Sequence, residues 1–81
     1  NFIGLSEDFG IVELSVPKPW LGKSLKELDV RAKYKVNIIA VHKNGGENGW
    51  EVAPGADYVL QQSDVVVTLG RNDDIGRLHD L

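Results

Sequence analysis

Two polar residues, Arg31 and Asn37, lie on either side of the passage from a helical pattern to the most apolar run of the chain. The guanidinium group of an arginine can make a bidentate contact with a phosphate or a carboxylate. An asparagine at the start of an apolar strand supplies both a hydrogen-bond donor and an acceptor. An anionic ligand with flat apolar parts could therefore bind here, with its charge on Arg31 and its rings against aliphatic side chains.

A purely structural role for the same two residues stays open from their chemistry alone. Arg31 could pair with Asp29, with Glu27 or with a neighbouring subunit. Asn37 could do no more than cap the turn before the strand. The residue types therefore indicate either a binding site or local ion pairing.

No arrangement of a nucleophile with a base is visible elsewhere in the sequence. His42 and His79 are far apart, and neither lies in a familiar catalytic motif. The Asn-Asp-Asp run at residues 72–74 fits the acidic first turn of a helix better than a metal site, which needs several converging ligands. Residues 70–72 lack the three-glycine spacing of a dinucleotide-binding fingerprint. We expect a chain that is not an enzyme and holds no metal.

The helix that must carry Arg31 has a clear start signal. Ser24 and Glu27 form a capping box, in which each side chain satisfies a free backbone donor of the other residue. The apolar face predicted for this helix comprises Leu25, Leu28 and Ala32. We expect the helix to fade near residues 34–35.

Strands are predicted from short apolar runs rich in β-branched residues. Residues 11–16 alternate in part and end at Pro17, and residues 36–41 read as a buried central strand. Shorter or later strands are expected at residues 50–52 and 65–70, with a turn at 43–49 and a last helix capped by Asn72 and running to Leu81. The predicted fold is a small α+β sandwich of order β-α-β-β-β-α, with helices on one face.

Length and composition limit the remaining possibilities. The chain has 81 residues, no cysteine and a net charge of −3, so it is one domain with a thin core and neither disulfides nor a broad basic surface. Self-association is therefore the default expectation, and nucleic acid is an unlikely partner. No apolar run is long enough to insert into a bilayer, so we expect a soluble intracellular protein. The chain begins at Asn1 and contains no methionine, which favours a fragment of a longer protein.

Several segments together resemble one family, the TrkA-C or RCK_C domains that regulate potassium channels and transporters. The similar segments are Phe9-Gly10-Ile11-Val12-Glu13-Leu14, Leu21-Gly22-Lys23-Ser24-Leu25, Leu28-Asp29-Val30-Arg31, Tyr34, Val36-Asn37-Ile38-Ile39-Ala40-Val41, Pro54, and Ser63-Asp64-Val65-Val66-Val67-Thr68-Leu69-Gly70. Each segment alone is weak, whereas their order and spacing are fairly specific. The arginine followed by the run from Lys33 to Ala40 most resembles the Ktr subfamily, the cytosolic regulatory subunits of potassium uptake systems.

The resemblance implies a regulatory ligand, cyclic di-AMP, bound at a dimer interface. The implied ligand-binding residues are Leu25, Lys26, Asp29, Arg31, Asn37, Ile38, Ile39, Ala40 and Pro54. Arg31 would contact a phosphate, Asp29 an adenine edge, and Leu25 and Pro54 the flat faces of the bases. Lys26 departs from the family pattern, in which this position is often aliphatic, as do Lys35, where glycine is common, and His42, where lysine or arginine is common.

The resemblance also implies how the chain is used. Residues 1–10 would be a linker from a preceding nucleotide-binding domain, which would hold ATP, ADP or NAD, and residues 11–81 would form the TrkA-C domain. A homodimer within an octameric ring, a potassium-translocating membrane subunit as partner, and a cytoplasmic position at the membrane are expected. Two alternatives remain: a structural dimerisation domain that binds nothing small, and the same sensor on a cation/proton antiporter.

Overall fold

One antiparallel sheet, with helices packed on one of its faces, makes up the part of the chain that the computed structural model describes, residues 2–46 and 49–81. In chain order the elements are β1 (Phe2–Gly4), β2 (Phe9–Ser15), α1 (Leu25–Leu28), α2 (Val30–Tyr34), β3 (Val36–His42), β4 (Trp50–Val52), β5 (Val65–Arg71) and α3 (Asn72–Leu78). A short 3-10 turn occupies Lys18–Trp20. Residues Lys43–Gly46 form a turn in which Asn44 and Gly45 have left-handed φ values of 51° and 67°. The predicted α+β class is confirmed. The turn expected at residues 43–49 includes Glu47 and Asn48, which lie outside the described residues.

The strand order is β1-β2-β5-β3-β4, so the last strand in sequence is the central one in space. β5 pairs antiparallel with β2 on one side and with β3 on the other. Its run of β-branched residues suits a strand with neighbours on both edges. A β-bulge between Ile38 and Ala40 shifts the register of β3 against β5 in mid-strand.

Alternation along the strands divides the sheet into a helix-covered face and an open face. Val66 and Thr68 of β5 are fully buried on the covered face, whereas Val65, Val67 and Leu69 point to the opposite face. The core on the covered face comprises Leu14, Val16, Trp20, Leu28, Val30, Val36, Val41, Leu60, Val66, Ile75 and Leu78. No helix of the described chain packs on the open face.

The helix predicted after Ser24 is interrupted at Asp29, which corrects the expected continuous helix. Asp29 has φ 48° and ψ 53°, a left-handed conformation that ends α1 and starts α2 at a new angle. Val30 is therefore buried, and Ala32, predicted on the apolar face, is exposed. A residue in the left-handed conformation does not continue the turn of a right-handed helix. Apolar side chains three and four residues apart across it therefore no longer lie on the same face.

Two further differences concern the chain ends. Residues 2–4, predicted within a linker, form the edge strand β1, in which Phe2 lies opposite Val12. The last helix ends at Leu78 rather than Leu81, and Asn72 does not cap it. The Asn72 side chain instead donates a hydrogen bond to the carbonyl of Glu7 at 2.9 Å, which ties the β1–β2 connection to the end of β5. Such long-range partners have no signal in local sequence.

Candidate functional site

A groove forms between the α1–α2 elbow, the start of β3 and the loop after β4. Its volume is about 330 Å³. The residues that line it are Leu25, Lys26, Asp29, Val30, Arg31, Asn37, Ile38, Pro54 and Ala56. Seven of the nine residues predicted to bind a ligand are in this set, although they come from three separate segments of the chain.

The first wall of the groove is held by the capping box and the left-handed residue. The Ser24 backbone N–H donates to Glu27 Oε1, and the Glu27 N–H donates to Ser24 Oγ, each at 3.1 Å. These contacts with Ser24 lower the pKa of the Glu27 carboxyl. The Asp29 N–H closes α1 on the Leu25 carbonyl at 3.0 Å. The bend that follows allows Leu25, Asp29 and Arg31 to line the same groove.

The opposite wall is the loop that carries Pro54 and Ala56, and backbone hydrogen bonds hold it to both neighbours. The Ala53 N–H donates to the Ile39 carbonyl at 2.9 Å, which attaches the loop to β3. The Lys26 N–H donates to the Ala56 carbonyl at 2.9 Å, which attaches it to α1. Backbone groups make both of these contacts, and they fix the position of the loop relative to α1 and β3.

A buried carboxylate anchors the same loop from behind. The Tyr58 hydroxyl donates to Asp64 Oδ2 at 3.0 Å, and Asp64 also accepts from the N–H groups of Gln61 and Asn44. Asp64 is buried, so these donors compensate for the loss of water around its charge. Burial, together with the hydrogen bond to Asp64, raises the pKa of Tyr58 to about 12.

The charged and polar groups of the groove are exposed and have no partner in the described chain. Arg31, Asn37 and Lys26 are exposed. Among residues 2–46 and 49–81, the side chains of Arg31 and Asn37 make no hydrogen bond or ion pair. Pairing of Arg31 with Asp29 or Glu27, one of the structural alternatives, is thus not seen. The groove carries the charges of Lys26, Arg31 and Asp29 over an apolar floor, and one positive charge is left in excess.

Two of the predicted residues, Ile39 and Ala40, do not line the groove. Ile39 lies in the bulge of β3, and Ala40 pairs with Val67 on one side and Val52 on the other. In exchange the groove includes Val30 and Ala56, which were not predicted. Val30 could have been found from its place between Asp29 and Arg31, whereas Ala56 joins the site only through its contact with α1.

Other kinds of site find little support in residues 2–46 and 49–81. No group of three or more His, Asp or Glu side chains there could hold a metal ion. No helix in that part of the chain has the length and apolar character to cross a bilayer. A second depression of about 390 Å³, on a different part of the surface, is lined by Glu13, Leu14, Ser15, Pro17, Lys18, Leu78, His79 and Leu81.

Curated relatives of the chain belong to potassium transport systems of Bacillus subtilis (strain 168). The chain is 38% identical over 77 residues to Ktr system potassium uptake protein C, covering 95% of this chain and 34% of that protein. It is 38% identical over 61 residues to the K(+)/H(+) antiporter subunit KhtT, covering 74% of this chain and 36% of that protein. The chain spans about a third of the length of these relatives.

Solved structures give the same picture for the fold. The RCK C domain of potassium transport protein KtrA, in complex with cyclic di-AMP, superposes with a TM-score of 0.76 at 33% identity, covering 89% of this chain and 81% of that one. The RCK_C domain dimer of S. agalactiae BusR, also in complex with cyclic di-AMP, gives a TM-score of 0.75 at 28% identity, covering 89% and 88%. The family model of the TrkA-C domain matches residues 10–81. The resemblance noted from the sequence is confirmed, and the chain belongs to the TrkA-C (RCK_C) domain family.

Proposed function

We propose that this chain is the C-terminal regulatory domain of a Ktr-type potassium uptake subunit and that it binds cyclic di-AMP in the groove described above. The observation that carries the proposal is the convergence of Arg31, Asn37 and an apolar floor in one groove, with the arginine unpaired in the described chain. A cation left without a partner beside apolar surface suits an anionic ligand with flat rings.

The chemistry of the ligand matches that of the groove. Each phosphodiester of cyclic di-AMP carries one negative charge, and each groove has one positive charge in excess. Arg31 would hold a phosphate through its planar fork, and the Asn37 amide would donate to the same group. Asp29 would accept from the exocyclic amine of adenine. Two-fold symmetry of the ligand suits two such grooves in a homodimer.

The apolar side chains and the volume of the groove limit how much of the ligand one groove can hold and where its base would lie. Leu25, Ile38 and Pro54 offer aliphatic surface against which an adenine ring would lie. The volume of about 330 Å³ is near the lower end of ligand pockets, which are roughly 300 to 1,000 Å³, so one groove suits one nucleotide half of the ligand. Ile39 and Ala40 would contribute through their backbone in the assembled dimer.

Similarity to the relatives supports a role in transport, which would belong to a longer protein. We place the domain after a nucleotide-binding domain that would take ATP, ADP or NAD, in a cytoplasmic octameric ring attached to a potassium-translocating membrane subunit. Binding of cyclic di-AMP would shift the conformational equilibrium of that ring, without any catalytic step. The similarity to KhtT supports an alternative in which the same sensor regulates a cation/proton antiporter.

Calorimetric titration of the purified chain with cyclic di-AMP tests the proposal. We expect saturable binding with one ligand per two chains, and much weaker binding of linear pApA, which lacks the closed ring. Cyclic di-GMP serves as the control for base recognition. At chain concentrations of roughly 100 μM the titration detects dissociation constants up to about a millimolar. If cyclic di-AMP gives no saturable heat under these conditions, the proposed ligand is refuted and the alternative of a structural dimerisation domain remains.

A further inference from the structure

Charge is distributed unevenly between the groove and the rest of the chain. The groove-lining residues, together with all positions within two residues of them along the chain, include five basic and three acidic residues, a net charge of +2. The whole chain has 9 basic and 12 acidic residues, so four basic and nine acidic residues, a net charge of −5, lie elsewhere. A dianionic ligand is therefore repelled by most of the molecule and attracted near the groove.

Two exposed lysines just outside the groove contribute to this positive charge. Lys33 lies two residues after Arg31, and Lys35 lies two residues before Asn37, so each lysine Cα is within about 7 Å of the Cα of a groove-lining residue. Among residues 2–46 and 49–81, neither lysine makes an ion pair or a side-chain hydrogen bond. Their charges are thus available to a ligand that approaches the groove.

A third lysine near the groove has an acidic neighbour and differs in this respect. The pKa of the Glu27 carboxyl is lowered by its hydrogen bonds with Ser24 and, to a smaller extent, by the charge of Lys23. Lys23 and Glu27 therefore balance each other, and the pair adds no net charge at the groove.

Lys35 occupies a backbone conformation that favours glycine. It ends α2 with φ 65° and ψ 26°, in the left-handed region. A side chain in that region costs conformational energy that glycine avoids, because its Cβ crowds the backbone. In the described chain no hydrogen bond or ion pair of the lysine side chain offsets this cost. Backbone strain at the edge of a binding groove indicates a function for the side chain.

We propose that Lys33 and Lys35 form a capture surface, which attracts anionic ligands from solution and raises the rate at which they enter the groove. This inference rests on the proposed function, because the ligand is the anionic nucleotide assigned there. A positive surface on an otherwise acidic molecule guides an anion over about one Debye length, which is about 8 Å at physiological ionic strength and about 30 Å at 0.01 M. Loss of either charge should lower the association rate and leave the dissociation rate nearly unchanged.

Coulomb's law gives the size of the effect. A charge reversal at Lys33 acts on the two negative charges of cyclic di-AMP at a distance of roughly 10 Å through water. The association rate should then fall about sevenfold at an ionic strength of roughly 10 mM and about twofold at roughly 150 mM. This dependence on salt distinguishes attraction at a distance from a direct contact, which is screened much less.

Stopped-flow association of fluorescently labelled cyclic di-AMP with Lys33→Glu tests the proposal, with Lys18→Glu as the matched control. Lys18 is also exposed, but it lies at the second depression, and both variants change the net charge from −3 to −5. The control should slow association by less than about twofold at either ionic strength. Equal slowing by the two variants would show an effect of net charge alone and would refute the capture surface. Circular dichroism checks that both variants are folded.

Lys35→Gly provides an independent test, because it should shift stability and association in opposite directions. Glycine relieves the left-handed strain, so the variant should melt at a higher temperature than the wild type. Loss of one positive charge should slow association about threefold at an ionic strength of roughly 10 mM. Association at the wild-type rate would refute the role assigned to Lys35, and an unchanged or lower melting temperature would refute the strain.

Failure of the proposed function would be recognised separately. A wild-type chain that binds no cyclic di-AMP would refute the ligand, and a measurement without ligand then decides the capture surface. Relaxation of backbone amide protons by an anionic and a cationic nitroxide of equal size reports the local potential. The anionic probe should act more strongly on α2 and the start of β3, and less on α3, where Asp73 and Asp74 lie. Equal effects of the two probes around α2, or a preference that persists in Lys33→Glu, would refute the inference.

Discussion

Replacement of Arg31 by alanine separates a ligand sensor from a structural domain, because the two roles predict opposite effects. Arg31 is exposed on α2 and makes no ion pair within residues 2–46 and 49–81. Its removal should therefore change the free energy of unfolding by no more than about 0.5 kcal/mol, as for other surface substitutions. Its effect on binding should be far larger.

The expected loss of affinity follows from the number of contacts. A hydrogen bond to a charged group contributes about 1.5 to 3 kcal/mol, and a two-fold site loses one such contact from each copy. If the two contacts are independent, the dissociation constant for cyclic di-AMP rises on the order of a hundredfold or more. Arg31→Lys should weaken binding less, because an ammonium keeps the charge but not the planar fork.

Melting and calorimetric titration on the same preparations provide the assay. Arg77→Ala is the matched control, because Arg77 is an exposed arginine on α3 outside the groove, where it pairs with Asp74. We expect Arg77→Ala to bind like the wild type. Folded Arg31→Ala with undiminished affinity would refute the site, and a lowered melting temperature with unchanged binding heats would favour a purely structural Arg31.

Three other predictions concern the walls of the groove and the absence of catalysis. Ser24→Ala should lower the free energy of unfolding by about 1 kcal/mol in urea titration, because it removes the capping box that starts α1, and an unchanged midpoint would contradict this. The pKa of Tyr58 is raised from 10.0 to about 12 in the folded chain, so its stabilising contribution is complete below pH 10 and is lost as the pH rises to about 12. The free energy of unfolding of Tyr58→Phe at pH 7 should be lower by about 1 to 3 kcal/mol, because Asp64 loses a hydrogen-bond donor. Between pH 10 and 12 this variant should lose less stability than the wild type does. Parallel curves of unfolding free energy against pH for the two proteins would refute the linkage. Cyclic di-AMP incubated with the chain should be recovered intact by chromatography, whereas linear pApA above a buffer control would show turnover.

The local elements could be predicted because their signals are local. The capping box at Ser24 and Glu27 depends on two residues three apart, and the structure has both of its hydrogen bonds. The apolar runs at residues 36–41 and 65–70 form β3 and β5, and the bounds of these strands differ from the predicted ones by at most one residue. The family resemblance rested on the order of such segments, and the comparison with the TrkA-C model confirmed it.

The interruption at Asp29 shows where local pattern fails. Nothing in the alternation of apolar residues marks a left-handed residue inside a helix, because its cost is offset by packing that only the folded chain provides. The bend places Val30 in the core and packs α2 against β3. Ala32 is left on the exposed side of α2. The edge strand β1 was missed for a similar reason, since a three-residue strand has too few residues to show a period.

By itself the sequence predicted strands β2 to β5 and the start of α1, because each depends on residue type or on spacing along the chain. The kind of domain and most of the residues that line the groove were implied by the family resemblance, whereas Arg31 and Asn37 also stood out by their chemistry. Only the tertiary structure decided that β5 lies at the centre of the sheet, that Ala56 joins the groove while Ile39 and Ala40 do not, and that one face of the sheet is left open. These features depend on pairing between segments far apart in the chain, and strand register, which no local pattern specifies, determines which side chains share a face.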